Sequence, residues 1–201
     1  MSNLFRHDKY STPLTDEEKQ GLKQKWVTTR EELNSLETLG IFNAEKKLVK
    51  TRNVILSENF LKKLHKQIFG NIWDWAGKYR TTERNIGIPP YQISSQLKIL
   101  FDDVNYWIKH HTYPPKEIAI RLHHRLVHIH PFANGNGRTS RLLADLLMEK
   151  TFNQPKLNWG NKCIDKLPEH RSKYMTALRK ADRGDYSALI QFLDESNCNM
   201  E

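Results

Sequence analysis

Residues 130–141 read HPFANGNGRTSR, and this stretch joins the last two apolar helical patterns of the core. Pro131 disfavours helical dihedrals in the residue before it, so the preceding helix should end at His130. Gly135 and Gly137 allow positive φ and a close approach to the main chain. Successive N–H groups can then converge at the start of the next helix, where the helix dipole favours an anion. The stretch therefore predicts a histidine beside a phosphate-binding turn.

Two arginines flank that turn. Arg138 and Arg141 lie three residues apart and project from one side of the first turn of the helix that we expect over residues 138–151. A guanidinium group can bind phosphate oxygens through two N–H groups at once. The alternative role of Arg141 is an i,i+4 ion pair with Asp145, and the two roles are compatible. The stretch matches neither a Walker A motif nor a dinucleotide-binding fingerprint.

Helical signals dominate the rest of the chain. Thr15 with Glu18 and Thr29 with Glu32 have the form of capping boxes, and Ser57 is a further N-cap. Apolar residues recur at helical spacing in the stretches 60–69, 93–108, 118–129 and 142–147, and two short helices are expected around 174–179 and 186–193. These patterns predict a mainly α protein.

Residues 71–90 differ from their surroundings. This segment contains Trp73 and Trp75, Gly77 and Gly87, and ends in two prolines. Such a composition is typical of a short extended excursion, and we expect a β-hairpin, with the two tryptophans packed either in the core or at its base.

Composition excludes several classes of protein. The chain has 201 residues, 38% of them hydrophobic, which is enough for a real core. Cys163 and Cys198 are the only cysteines, so a disulfide scaffold and a thiolate zinc site are not expected. The longest apolar run, near residues 142–148, is broken by Asp145, and residues 1–19 lack the apolar core of a signal peptide. We therefore expect a cytoplasmic protein with no membrane partner.

Two charged features have alternative interpretations. The net charge of +9 invites an anionic partner, but the basic residues are spread out and no nucleic-acid-binding motif accompanies them, which favours a solvated face. His123, His124, His128 and His130 are close in sequence, yet no H-E-x-x-H pattern or nearby cysteine supports a zinc site. Surface or partly buried helix residues are the simpler interpretation of this cluster.

The 130–141 stretch resembles the signature of the Fic family, HPFx(D/E)GNGRxxR. Every specified position matches except the fifth, where Asn134 replaces an acid. Residues 75–82, WAGKYRTT, resemble the start of the β-hairpin flap of Fic-like domains, and the resemblance spans roughly residues 56–151. Residues 28–34 are also similar to a Fic subfamily labelled mobile mystery protein B.

The resemblance implies a Fic-like helical bundle with a short β-hairpin flap that transfers AMP from ATP to a hydroxyl of a target protein. His130 would be the general base. The α- and β-phosphates would lie against Gly135, Asn136, Gly137 and Arg138, and Arg141 would bind the γ-phosphate. A flap over residues 80–91 would pair with the target backbone as an added strand, with Thr81, Thr82 and Ile86 as docking residues.

Two further roles follow from the resemblance. Asn134 takes the place of the family's Mg²⁺ ligand, and a neutral amide should hold the ion more weakly than a carboxylate. Many Fic-like proteins are inhibited by a glutamate in a (S/T)xxxE(G/N) helix that pairs with the second arginine of the signature. Thr28 and Glu32 have this spacing, but Leu33 follows, and a simple capping box explains Glu32 equally well.

Three units of one compact body are therefore predicted: an N-terminal helical extension over 1–55 that is a candidate inhibitor, a Fic-like core over 56–151 and a C-terminal helical extension over 152–201. The predicted function is protein adenylylation with ATP and Mg²⁺. Open alternatives are a nucleotide-sensing or toxin–antitoxin-type regulator, another nucleotide donor, and removal of AMP from a target. A partner-gene regulator and a homo-oligomer also stay open as partners.

Overall fold

The computed structural model describes Leu4 and residues 13–48, 54–160 and 168–195. Cys163 and Cys198 lie outside these residues, as do parts of the predicted N- and C-terminal extensions. Among the helices of the described ranges, none combines the length and the hydropathy that crossing a membrane requires.

The described residues fold mainly into helices, as the sequence predicts. In chain order these are α1 (Asp16–Gln20), α2 (Arg30–Leu48), α3 (Glu58–Phe69), a short 3₁₀ turn (Pro90–Gln92), α4 (Ile93–His110), α5 (Pro115–Ile129), α6 (Asn136–Lys150), α7 (Pro168–Ala181) and α8 (Ser187–Glu195).

The predicted helix starts are confirmed. The Thr15 hydroxyl accepts from the Glu18 N–H at 3.2 Å, while the Glu18 carboxylate accepts from the Thr15 N–H at 2.8 Å. The Ser57 hydroxyl accepts from the Phe60 N–H and so caps α3. α5 begins at Pro115, where the missing N–H of proline costs nothing because the first N–H groups of a helix have no intrahelical acceptor.

Helices α5 and α6 form the centre of the bundle. Residues at 3–4 spacing on α5 are almost fully buried against α6, among them Ile118, Leu122, Leu126 and Ile129. α4 packs on α5, α3 packs on α6, and α2 covers α3, while α8 contacts α5 from the C-terminal side. The loop between α5 and α6 therefore lies at one end of the best-packed helix pair, which gives it a rigid support.

The predicted β-hairpin is not formed. Among the described residues, 78–89 make no strand ladder, and the segment is an irregular loop, called the flap below. The carbonyls of Thr82 and Ile88, which a hairpin would use for cross-strand bonds, accept from the Arg80 side chain instead. Pro89 and Pro90 have no N–H to donate. The Arg80 side chain thus donates the hydrogen bonds that the sequence pattern assigns to a second strand.

The N-terminal segment is bonded to the turn that follows α3. Leu22 and Trp73 form an isolated antiparallel bridge; the Lys23 N–H donates to Ile72 O and the Asp74 N–H donates to Gly21 O. Trp73 is 1% exposed and belongs to the core, and Trp75 stacks on it with the ring centroids 5.0 Å apart, so the structure supports the predicted core placement of these tryptophans.

Candidate active site

His130 stands where α5 ends. Its backbone is left-handed, with φ 53° and ψ 59°, and its N–H donates to Leu126 O to close the last turn. The prediction that Pro131 stops the helix before His130 is confirmed. A left-handed conformation is uncommon outside glycine, so the surrounding contacts must hold it.

The His130 ring is oriented as a base requires. Its Nδ1 lies 3.3 Å from Val127 O, and a bond to a carbonyl needs a hydrogen on that nitrogen. In this tautomer Nε2 carries the basic lone pair. The residue is 6% exposed, and burial lowers the pKa of His130 to about 4, with the positive charges of Arg80 and Arg84 acting in the same direction. The ring is therefore neutral at physiological pH.

The turn after His130 forms the start of α6, two residues earlier than predicted. Gly135 has φ 77°, and a Cβ at this position would lie 2.4 Å from the Phe69 ring. The Thr139 N–H donates to Gly135 O, and the amides of Asn136 and Gly137 precede this first helical bond. A Cβ on Gly137 would lie 3.8 Å from Arg141 Nη1, so the Arg141 side chain lies beside this glycine. The anion-binding role of this turn stays a prediction.

The side chain of Asn136 holds the loop together. Its Oδ1 accepts from the Phe132 N–H at 2.9 Å, and its Nδ2 donates to Phe132 O at 2.8 Å. Asn136 is 3% exposed and Phe132 is fully buried. Asn136 therefore fixes the loop with its side chain and leaves its main-chain N–H outside these bonds, and Phe132 is a buried anchor of the loop.

Asn134 presents no unengaged oxygen to a metal ion. Its Oδ1 accepts from the Gly135 N–H at 2.6 Å and from Arg138 Nη2 at 3.3 Å. These two donors occupy both lone pairs of the amide oxygen. In this conformation the residue does not fit the role of a Mg²⁺ ligand. Among the described residues, no group of three or more His, Cys, Asp or Glu side chains is arranged to hold a metal.

Arg138 pairs with an acid that the sequence interpretation missed. Its Nη1 lies 2.5 Å from Glu37 Oε2, and its guanidinium lies over the Phe69 ring. Glu37 is 1% exposed, and its other oxygen accepts from Trp73 Nε1 at 3.5 Å. Glu37 lies on α2, so the N-terminal helix places a carboxylate against the first arginine of the turn. The sequence contains a pattern that predicts such a pair: Glu37 lies on one helical stripe with the buried Leu33, Ala44 and Leu48. An acid within an apolar stripe indicates a buried cation nearby.

Arg141 lies on the buried side of α6 and is 7% exposed. The alternative ion pair with Asp145 is not formed, because Asp145 accepts from the Leu157 N–H at 3.1 Å and from Trp159 Nε1 at 2.8 Å. Arg141 Nη1 is instead the atom nearest to the space beside Gly137. The structure thus places Arg141 beside the turn that the sequence predicts to bind phosphate.

Glu32 lies at the first turn of α2 and caps it. Its Oε2 accepts from the N–H groups of Thr28 and Thr29, while the Glu32 N–H donates to the Thr29 hydroxyl. These bonds lower the pKa of Glu32 below its ordinary value. The structure forms the predicted capping box, and the proposed inhibitory role of Glu32 stays a prediction.

His65 supports the loop from α3. The Gly77 N–H donates to its Nδ1 at 2.9 Å, so the ring hydrogen lies on Nε2, which donates to Asn134 O at 3.0 Å. The ring stacks on Phe132 at 3.8 Å. Burial lowers the pKa of His65 to about 3, so the ring stays neutral. No local pattern in the sequence indicates this bridge, because it joins residues far apart in the chain.

The predicted docking residues lie on the outside of the flap. Thr81 and Thr82 are exposed, and Ile86 is 41% exposed. The other histidines of the α5 cluster have separate partners: His123 bonds to Tyr174, and His124 bonds to Tyr186 and Asp182. The expectation of surface or partly buried residues holds for His128, but it was wrong for His123 and His124, which are buried because each packs against a tyrosine to which it bonds.

Comparison with known proteins places these features in a family. Residues 55–148 match the model described as Fic/DOC family. A protein adenylyltransferase Fic of Aedes aegypti is 30% identical over 166 residues, which make up 78% of this chain and 31% of that protein. Protein adenylyltransferase fic-1 of Caenorhabditis elegans is 32% identical over 139 residues, or 65% of this chain and 25% of that protein. The chain thus spans less than a third of the length of these relatives.

Solved structures show the same fold. Fic-1 from C. elegans aligns with a TM-score of 0.66 and 27% identity, over 88% of this chain and 52% of that one. The N-terminal Fic domain of a Bartonella quintana protein aligns with a TM-score of 0.68 over 96% of this chain and 92% of that one, and at 17% identity it supports the fold alone. Through residues 55–148, this chain belongs to the Fic/DOC family.

Proposed function

We propose that this protein transfers AMP from ATP to a Ser, Thr or Tyr hydroxyl of a target protein. The observation that carries the proposal is the placement of His130: its Nδ1 is directed to Val127 O, so Nε2 is the basic nitrogen, and the anion-binding start of α6 follows in the same loop. The relatives named protein adenylyltransferase support the same activity.

His130 would take the proton of the incoming hydroxyl on Nε2. The hydroxyl oxygen then forms a bond to the α-phosphorus of ATP, the bond from that phosphorus to the bridging oxygen breaks, and pyrophosphate leaves. A well-placed general base contributes roughly 10²–10⁴-fold to the rate. The remaining acceleration comes from holding the phosphates and the hydroxyl in line.

The start of α6 would hold the triphosphate. The amides of Asn136 and Gly137 with Arg138 would bind the α- and β-phosphates, and Arg141 would bind the γ-phosphate. The Gly135 N–H would join them only after it leaves the Asn134 oxygen to which it now donates. Mg²⁺ would arrive bound to ATP, and the neutral Asn134 amide, whose oxygen already accepts two hydrogen bonds, would contribute little to its affinity.

The flap would dock the target. Its exposed residues Thr81, Thr82 and Ile86 would lie beside the target backbone and bring the acceptor hydroxyl towards His130.

The described conformation would be a restrained one. His130 is 6% exposed, so a hydroxyl can reach its ring only after covering chain moves aside. Helix α2 supplies two candidate restraints: Glu32, which the sequence predicts to oppose Arg141, and Glu37, which pairs with Arg138. A carboxylate competes with phosphate for the same guanidinium donors.

The proposed setting is the cytoplasm. The resemblance to mobile-element proteins supports a toxin-like role in which a partner-gene regulator or a second copy of the chain controls the activity.

The test is incubation of the full chain with Mg²⁺ and ATP labelled at the α-phosphate. We expect label on protein with the wild type, and none with His130→Ala. The matched control is His128→Ala, which lies on the same helix with its side chain 61% exposed and outside the turn. Equal label in wild type and His130→Ala would refute the proposal. ATP binding without label in any variant would favour the nucleotide-sensing regulator, and label from another nucleotide would reassign the donor.

A further inference from the structure

Arg80 joins the flap to the turn that carries His130. All four hydrogen bonds that its guanidinium donates within the described residues end on main-chain carbonyls. Nε donates to His130 O at 2.6 Å and Nη2 donates to Ile129 O at 3.4 Å. Nη1 donates to Thr82 O at 2.9 Å, and Nη2 also donates to Ile88 O. The guanidinium therefore bridges two segments about fifty residues apart in sequence.

The charge of Arg80 is stabilised by the end of α5. The residue is 4% exposed, and an isolated buried cation is costly. Ile129 is the last residue of α5 and His130 is its C-cap, so their carbonyls have no acceptor role inside the helix and lie at its negative end. A guanidinium supplies several donors in a fixed plane, which a lysine ammonium cannot reproduce.

Two further contacts hold the same junction. The Arg80 N–H donates to Pro131 O at 2.9 Å, directly beyond His130. Gly87, on the other arm of the flap, packs so close that a Cβ would lie 2.6 Å from His130 Cβ and 3.0 Å from Arg80 Nη2. Arg80, Gly87 and His130 therefore form one contact set at the place where the flap meets the base.

We propose that Arg80 is a positioning residue: its guanidinium holds the left-handed turn of His130 and the flap that docks the target in a single geometry. This inference rests on the proposed transfer reaction, since it assigns the target to the flap and the base to the turn. Because its guanidinium bonds to the main chain, Arg80 would act through the flap and the His130 turn and not directly on the reacting atoms. It sets the distance between the docked hydroxyl and the imidazole, and a displacement of about 1 Å at such a site can cost on the order of 10²-fold in rate.

The test compares Arg80→Lys with the control Arg121→Lys, whose arginine lies on the same helix as His130 and pairs with Glu117. With labelled ATP and the chain itself as acceptor, we expect Arg80→Lys to lose about tenfold or more of the transfer rate while its dissociation constant for ATP changes less than about twofold. Arg121→Lys should keep the wild-type rate. Because partial unfolding would also lower the rate, Arg80→Ala is assayed with added guanidinium and with added methylammonium. Guanidinium should restore activity and methylammonium should not.

Amide hydrogen exchange provides a measurement that does not depend on activity. In Arg80→Lys, exchange should accelerate together at the amides of residues 80 and 130, which donate to Pro131 O and Leu126 O, and at the helical amide of Ile129, while the core of α4 keeps its wild-type protection. The proposal is overturned if the amides of residues 129 and 130 keep their protection, or if the rate falls only in proportion to the unfolded fraction, or if methylammonium rescues equally well. If the wild type transfers no label, the transfer reaction fails as a proposal, and the exchange experiment still decides the positioning role.

Discussion

Glu37 and Arg138 form a buried ion pair across two helices, with Glu37 Oε2 2.5 Å from Arg138 Nη1 and Glu37 only 1% exposed. The pair links the N-terminal helix α2 to the first turn of α6. It occupies donors that a bound phosphate would use, so nucleotide binding and this contact should exclude each other.

Replacing Glu37 by glutamine should therefore strengthen ATP binding. Glutamine keeps the size of the side chain and an oxygen for Trp73 but removes the charge. Since a charge-assisted hydrogen bond is worth about 1.5–3 kcal/mol, we expect affinity for ATP to rise by about tenfold or more in calorimetric titration. Glu45→Gln is the matched control, because Glu45 lies on the same helix and pairs with the partly exposed Lys156. Weaker ATP binding in Glu37→Gln would show that the Glu37–Arg138 pair supports the turn at the start of α6 instead of competing with phosphate.

Glu32→Gly tests the inhibitory residue that the sequence predicts. If Glu32 opposes the γ-phosphate, the variant should label itself faster than wild type. The same change removes a helix cap and should lower the free energy of unfolding. Thr29→Ala removes the cap while keeping the carboxylate, so it should share the stability loss without the gain in labelling. Identical labelling in both variants would leave Glu32 with its capping role alone.

The pH dependence of transfer should reflect the lowered pKa of His130. Burial holds that pKa near 4, so the ring is already deprotonated throughout the neutral range. Between about pH 7.5 and about pH 5.5 the rate should stay within about twofold, whereas a histidine with an ordinary pKa of about 6.5 would lose roughly tenfold. Initial rates at saturating ATP and Mg²⁺ measure this directly. A fall with a midpoint near the ordinary value would mean that His130 is exposed to solvent in the active conformation.

Asn134→Asp should lower the Mg²⁺ concentration needed for half-maximal transfer. The amide oxygen is engaged by Gly135 and Arg138, and the other terminal atom, Nδ2, is a donor that cannot ligate a cation. Aspartate replaces it with a second, charged oxygen. A Mg²⁺ titration of the labelling rate, compared with Asn134→Ala, measures the effect. The same half-maximal concentration in all three proteins would separate position 134 from metal binding.

The His65 bridge should make stability sensitive to acid. Burial lowers the pKa of His65 to about 3, so the unfolded chain binds the proton first and stability falls as the pH drops below about 6.5. Between about pH 7.5 and about pH 5 this costs about 2 kcal/mol, as long as the folded ring stays neutral. Wild type should lose that much more than His65→Gln in urea unfolding, because other titrating groups act equally in both. Parallel pH curves would contradict the neutral bridge.

The features that could be predicted from sequence are those with local causes. Thr15 and Ser57 begin helices because their hydroxyls cap an N–H of the first turn, and Pro115 begins α5 because no N–H is needed there. Pro131 ends α5 because it disfavours helical dihedrals in the residue before it. Glu37, Arg80 and His65 each have a partner 36 to 101 residues away, and no spacing rule predicts such pairs. The predicted hairpin was wrong because the carbonyls of Thr82 and Ile88 accept from the nearby Arg80 side chain in place of a strand partner.

The bridge between Leu22 and Trp73 bears on how the protein can be dissected. A fragment trimmed to residues 55–148, the span of the family match, would lack Leu22, which pairs with Trp73. It would also lack two acids: Glu37, which pairs with Arg138, and Glu18, which pairs with Arg84. It would also leave Asp145 without the Leu157 and Trp159 donors. Residues 130–141 are contiguous in sequence, but we expect the smallest fragment that folds around them to extend beyond residues 55–148 on both sides.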